Sequence, residues 1–169
     1  QASSCTYFQV PFPRRQDSHT WGKTRRMKFG ISVAFSDASH LGAMAQAAEA
    51  AGFERVTVSD HVIQPEKLAT PYPYTEDGLP RWPPFTDWPD PWVVIGAMSA
   101  LTRRIRFFTS VYVLGMRNPF LVAKTVGTAA VMSGDRVELG IGAGWMREEF
   151  ELLGQTFDGR GQRIDEMID

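Results

Sequence analysis

The sequence predicts an α/β fold in which parallel strands alternate with helices. Three observations carry this expectation. Four short apolar runs, at 28–35, 55–61, 105–114 and 136–142, have the near-continuous hydrophobicity of strands buried on both faces. Segments with helical spacing and recognisable start or stop residues separate them. The strand–helix alternation repeats four times, and right-handed crossovers turn such a series into a parallel sheet. An open doubly wound sheet and a β/α barrel both satisfy this pattern. A complete barrel takes eight units in typically ~250 residues, so a chain of 169 residues would be its N-terminal half.

The first run, KFGISVAF (28–35), follows Met27, which reads as a natural start. Residues 1–26 mix prolines and charges without period-2 or period-3.6 patterning and read as an unstructured extension or upstream sequence. After the first strand, Ser36, Asp37 and Ser39 offer N-caps to an Ala-rich helix. Its apolar positions Leu41, Met44, Ala45, Ala48 and Ala51 keep helical spacing, and Gly52 ends it. The second strand, RVTVSDH, runs into a proline-punctuated stretch at 62–89. Tyr72, Tyr74, Trp82, Phe85 and Trp88 are interleaved there among seven prolines. It far exceeds the ~2–6 residues of an ordinary βα connection, and its aromatic content reads as a functional lid. Asp90 and Pro91 form an N-cap and N1 pair for the second helix. The third strand is IRFFTSVYVL, and Asn118-Pro119 starts the third helix, which runs to about Met132. Residues 133–135 turn into RVELGIG (136–142). A fourth helix spans Trp145 to Leu153, and RGQRIDEMID begins another.

The totals narrow the function classes. Hydrophobic content of 43% suits one buried core, and the net charge is −1. Five basic residues against Asp17 in 1–26 give a surplus of four, which leaves −5 for 27–169. A nucleic-acid partner, which wants a basic face, is not expected. No apolar stretch approaches the ~20 residues of a membrane span, so no membrane partner and a cytoplasmic location are expected. Cys5 is the single cysteine, which rules out an internal disulfide and a thiolate metal cluster. No metal site is expected, and redox chemistry would have to come from a bound cofactor.

The strip VELGIGAGW (137–145) places Gly140, Gly142 and Gly144 at alternating positions. In extended geometry they share one face, which would then lack Cβ atoms and admit a ring or phosphate. A dinucleotide fingerprint needs its strand to come first in the sheet, with an acid-tipped second strand ~20 residues on. Three βα units precede this strip, and the residues around Asp165 look helical. Close packing of helix on strand is the plain alternative.

The segments VTVSDHV, IRFFTSVYVLGMRNPFLVAKTVGTAAVMSGDRVELGIGAGWMREEFELLG and RGQRIDEM, in this order, resemble the bacterial luciferase-like family of flavin- and deazaflavin-dependent oxidoreductases. The likeness runs from Met27 to Asp169, is densest over 105–166, and is strongest to the coenzyme F420-dependent oxidoreductase subgroup. It implies a TIM-type (β/α)8 barrel of which 27–169 is the N-terminal half, with the cofactor at the C-terminal mouth. It also implies F420-dependent hydride transfer to or from a small organic substrate. Reduced FMN with oxygen, as in a monooxygenase, is the alternative cofactor chemistry. A third possibility is a catalytically inactive half-barrel serving only in binding or assembly. The long lid suggests an apolar or ring-containing substrate, and the full-length protein is expected as a homodimer.

Site residues follow from the same resemblance. Asp60 would hydrogen-bond the cofactor, and His61 would lie beside the reacting ring carbon as the catalytic residue. By their residue types alone, they equally suit a loop-capping Asp and a satisfied histidine. Ser110 and Val111 would be joined by a cis peptide that backs the central ring. Gly142, Ala143 and Gly144 would form the cofactor platform at the mouth. Trp145 and Glu148 occupy the positions where the deazaflavin sugar-phosphate dehydrogenases carry a glutamate proton donor and a cofactor-touching asparagine. That departure argues against sugar-phosphate oxidation and leaves the acid unassigned. Arg117 and Asn118 read as helix caps, and Glu148, Glu149 and Glu151 as a solvated charge run beside Arg147.

Overall fold

The computed structural model describes residues 27–169. The extension expected at 1–26 lies outside the described residues. The elements are β1 (Gly30–Ser32), α1 (Leu41–Ala50), β2 (Arg55–Val58), α2 (Pro91–Leu101), β3 (Arg106–Thr109), β4 (Tyr112–Val113), α3 (Pro119–Ser133), β5 (Val137–Glu138), β6 (Ile141–Gly142), α4 (Arg147–Leu152) and α5 (Arg160–Ile168). Short 3-10 turns at Ala38–His40 and Leu114–Met116 precede α1 and α3.

All strand pairs are parallel, in the order β1-β2-β3-β5, with β4-β6 beyond. Each new strand is added to the same edge, and no switch point reverses the order. A doubly wound sheet reverses its order at such a point. The sequential order is that of a barrel wall, so of the two architectures the sequence allows, the structure takes the partial barrel. Helices α1, α2 and α3 pack side by side along it.

One face of the strands carries the core. Val33, Val56, Val58 and Phe107 meet Leu41, Ala45 and Ala48 of α1, Trp92, Ile95 and Met98 of α2, and Val122 and Ala129 of α3. The alanines let α1 approach closely, and Phe107, fully buried, fills the space between. Truncating such a phenylalanine to alanine costs about 3–5 kcal/mol. The alternate positions carry charge: Glu138 bridges Arg106 at 2.6 Å and Arg55 at 3.3 Å.

Local chemistry explains the helix boundaries. Asp90 accepts from the Trp92 and Val93 amides, and Asn118 from those of Phe120 and Leu121, each with proline next in line. Gly134, at φ 67°, ends α3 in the left-handed conformation that glycine tolerates best. The segment between α2 and β3 is held from two sides. The Glu49 carboxylate accepts the amides of Arg103, Arg104 and Ile105. The Arg136 guanidinium donates to Ser99, Thr102, Ile105 and Ser133.

Several expected boundaries need correction, among them the second strand, which ends at Val58 and not at 61. The first strand ends at Ser32, not 35, and Phe35 stands at the mouth with φ 63°. The third and fourth strands are each broken in two, at 110–111 and 139–140. Helix α4 opens at Arg147 with Met146 as N-cap, so Trp145 lies before the helix rather than in it.

Candidate functional site

The C-terminal ends of β2, β4 and β6 and the first turn of α4 converge on Asp60 and His61. Asp60 is buried, and both its oxygens are engaged. Arg117 donates to Oδ2 at 2.7 Å and to Oδ1 at 2.8 Å, and the Val113 amide donates to Oδ2 at 2.9 Å. Burial pushes the Asp60 carboxyl above its usual range, and the facing guanidinium partly offsets this. Arg117 also lies over the Tyr112 ring, 4.1 Å from its centroid. One expectation is corrected here: Arg117 does not cap α3; Asn118 does. The Asp60 carboxylate, expected to reach a cofactor, clamps the end of β2 to the start of α3.

His61 has a different partner. Its Nδ1 lies 3.1 Å from Oε2 of Glu149, whose side chain is 2% exposed. The other Glu149 oxygen accepts the amides of Val62 and, at 3.2 Å, Ile63. A carboxylate only accepts, so Nδ1 carries the proton, and in the neutral imidazole the lone pair is then on Nε2. Glu149 therefore orients the imidazole and ties down the start of the lid. The expected solvated charge run is incorrect at this position. Met146, Glu149, Phe150 and Leu153 follow the spacing i, i+3, i+4, i+7 of one helix face, and that pattern was the available signal. Arg117 had no such signal, being 57 residues from Asp60.

Glu148 also holds the lid. Its Oε1 accepts from Ala69 at 2.7 Å and Thr70 at 2.8 Å. Burial raises its carboxyl, but the hydrogen bonds from Thr70 and Ala69 more than offset this, so it lies below the usual range. This oxygen is committed to the chain's own backbone, while Oε2 of Glu148, expected to touch a cofactor, is buried with no hydrogen-bond partner among the described residues.

The lid's aromatic residues gather over His61. Trp88 packs edge-on at 4.6 Å between ring centroids, and Trp82 and Trp145 each lie at 6.0 Å. Tyr72 bridges Trp82 and Trp145, 5.0 Å from each, and Phe35 stacks on Trp82 at 5.6 Å. Phe35 thus belongs to the site, although the sequence placed it in a strand.

Between β3 and β4 the Ser110–Val111 peptide is cis, where the resemblance located it. Thr109 spans the gap to the neighbouring strand by exchanging hydrogen bonds with Gly140 at 2.9 Å in both directions. The glycine strip is not an open platform. A Cβ on Gly140 would lie 2.2 Å from the Thr109 carbonyl oxygen, one on Gly142 2.4 Å from Val111 Cγ2, and one on Gly144 2.6 Å from Val113 Cγ1. The Cβ side of these glycines is occupied by the chain's own third strand, as the plain alternative of close packing has it, and the backbone of Gly142, Ala143 and Gly144 is partly exposed, with the Gly144 carbonyl accepting from Arg160 at 2.9 Å.

The structure thus brings His61 and Trp145 together, with Glu148 on α4 bound to the lid at Ala69 and Thr70. Ser110 is exposed at the end of β3. A planar cofactor fits this mouth in part. His61 Nε2 and the Ser110 hydroxyl make no hydrogen bond among the described residues, whereas the backbone of 142–145 is partly committed, with Gly142 paired to Val113 and the Gly144 carbonyl accepting from Arg160 at 2.9 Å; Trp82 and Trp88 pack against the imidazole. Among the described residues, no group of His, Cys, Asp and Glu side chains could hold a metal ion, and no helix is long and apolar enough to cross a membrane.

Comparison with known proteins agrees with this fold. An uncharacterized protein of Mycobacterium tuberculosis, Rv0940c, is 38% identical over 143 residues, covering 85% of this chain and 50% of the relative. A second one, Rv0953c, is 35% identical over 124 residues, 73% of this chain and 44% of the relative. The chain spans about half the length of these relatives. Among solved structures, the fold matches a type II Baeyer-Villiger monooxygenase, the oxygenating constituent of 3,6-diketocamphane monooxygenase from Pseudomonas putida in complex with FMN. The TM-score is 0.67 at 18% identity, over 85% of this chain and 38% of that one. It also matches the coenzyme F420 dependent tetrahydromethanopterin reductase of Methanopyrus kandleri, with a TM-score of 0.59 at 18% identity, over 83% of this chain and 38% of that one. The family description luciferase-like monooxygenase matches residues 27–169 without interruption, and the chain belongs to that family.

Proposed function

We propose that this chain supplies the N-terminal half of the cofactor mouth of a deazaflavin- or flavin-dependent oxidoreductase acting on a small organic molecule. The observation that carries the reading is the Glu149–His61 pair at the end of β2, beneath an aromatic lid. Residues at the C-terminal ends of barrel strands are where this architecture puts its chemistry. Coenzyme F420 is the preferred cofactor, in keeping with the resemblance over 105–166. FMN is the alternative, and each is named for one of the structural neighbours.

His61 is the proton-handling group in this reading. Glu149 accepts the Nδ1 proton and so presents Nε2 toward the mouth, where it takes up or returns a proton at the substrate or ring edge. The backbone of Gly142, Ala143, Gly144 and Trp145 and the Ser110–Val111 turn would hold the ring. The bound cofactor supplies the two-electron redox capacity that no side chain here possesses. Trp82, Trp88 and Tyr72 exclude water once the lid is closed. Asp60 and Arg117 act at one remove, by holding the strand ends in register.

The deciding experiment is a cofactor screen on the full-length protein, read by absorbance and by oxygen uptake. Binding of F420 without oxygen consumption supports the preferred reading. Oxygen consumption with reduced FMN moves the assignment to the monooxygenase alternative. Binding of neither cofactor overturns both and leaves a binding or assembly role.

A further inference from the structure

A second space lies beside the His61 cluster, within the 62–89 lid itself. It is a cleft of about 280 Å³ with Gln64, Pro65, Leu68, Leu79, Trp82 and Phe85 in its walls. Glu66 is the one ionisable residue lining it. Trp82 belongs to both spaces: it lines the cleft and also packs 6.0 Å from His61 and 6.5 Å from Trp145. Two polar atoms of the lining residues, Nε1 of Trp82 and the side-chain amide oxygen of Gln64, are buried with no hydrogen-bond partner among the described residues. Buried donors and acceptors are nearly always paired, so an unpaired one of each kind around one cleft calls for a complementary group.

We infer that the cleft binds a neutral, ring-sized apolar molecule bearing one group that both accepts and donates a hydrogen bond, an alcohol or a carboxamide. The volume falls just below the range of small-molecule sites, ~300–1,000 Å³, which limits the occupant to about one ring. The apolar walls favour a hydrocarbon body. The single carboxylate, with no lining cation, disfavours an anion. The indole N–H seeks an acceptor and the Gln64 oxygen a donor, and one hydroxyl or carboxamide provides both once lid motion exposes them. That the occupant is the substrate rests on the oxidoreductase reading, since Trp82 both lines the cleft and packs near His61. Occupancy itself does not rest on it.

The test uses the intact chain without cofactor, with benzamide, toluene and benzoate as probes. The readout is the indole N–H resonance of Trp82, assigned as the one missing from Trp82→Phe. Benzamide is expected to shift that resonance saturably and to bind about tenfold more tightly than toluene, the worth of one or two net hydrogen bonds. Benzoate is expected to bind more weakly than benzamide. Gln64→Leu is expected to bring benzamide down to the affinity of toluene and to leave toluene unchanged, while Leu68→Trp fills the cleft and removes both. An unmoved Trp82 resonance, equal affinities for benzamide and toluene, or binding indifferent to both variants would overturn the assignment. Failure here leaves the cofactor screen untouched, and failure of that screen leaves this result standing.

Discussion

Replacing Glu149 by glutamine changes one charge at constant volume and probes the link between His61 and the lid. In the native protein the carboxylate accepts from the Val62 and Ile63 amides and from Nδ1 of His61. Hydrogen bonds to a charged group are worth about 1.5–3 kcal/mol, against about 0.5–1.5 for neutral ones. Glutamine keeps an oxygen for the two amides, so each loses roughly 1 kcal/mol, about 2 kcal/mol in all. The remaining amide nitrogen then faces Nδ1 as a donor. The imidazole satisfies it only by moving its proton to Nε2, the opposite tautomer. Urea unfolding measures the first effect, and the ¹⁵N shifts of the His61 ring measure the second. If Nε2 handles the proton in turnover, the rate of the full-length protein falls by roughly 10²–10⁴-fold. An unchanged tautomer, with stability altered by less than about 0.5 kcal/mol, would refute the argument that Glu149 orients the ring.

Other consequences follow from the same contacts. Arg117→Ala leaves the Asp60 carboxylate buried beside the Val113 amide alone, and is expected to cost about 3–5 kcal/mol in urea unfolding. Most of that loss should be recovered in Asp60→Asn/Arg117→Ala, which removes the stranded charge. Gly142→Ala should destabilise by about 1–3 kcal/mol, because its methyl would overlap Val111. Val111→Ala should relieve that clash, whereas no side-chain change should rescue Gly140→Ala, whose clash is with the Thr109 carbonyl; thermal melts of the single and paired variants decide this. The amides of Ile105, Arg104 and Arg103 hold Glu49 down to about 2, from an ordinary value of 4.5. Its contribution is therefore complete above about pH 4.5 and is lost as the pH falls toward 2. Glu49→Gln should flatten the stability profile between those limits and leave its shape above pH 5 unchanged, as followed by unfolding at a series of pH values.

Much of this architecture is legible because its signals are local. Asp90-Pro91 and Asn118-Pro119 mark helix starts through bonds spanning two or three residues, and Gly134 marks an end through its own backbone angle. The candidate site is legible only in part, because its contacts are long-range. The sequence points to His61 and Trp145, but the partner of His61 lies 88 residues away and that of Asp60 lies 57 away. No short-range pattern encodes either pairing. Glu148 and Glu149 are adjacent and chemically identical, yet they hold different stretches of the lid. About 100° of helix rotation separates them, and the packing of Met146 and Phe150 sets which one turns inward.

The glycine strip shows the same division. Its composition alone establishes that the strip carries no side chain at 140, 142 and 144, alternating positions that share one face where the backbone is extended. What that vacancy serves is a question of neighbours. The barrel wall brings Phe108, Val111 and Val113 of the third strand into that space, so the glycines meet a packing demand. Strand alternation, caps and the lid's aromatic content were determined by the sequence, because period and local hydrogen bonding act within a few residues. The clamping of Asp60, the orientation of His61 and the cleft behind Trp82 were decided by tertiary structure, because each needs groups that only the closing of strand against strand brings within hydrogen-bond or van der Waals reach.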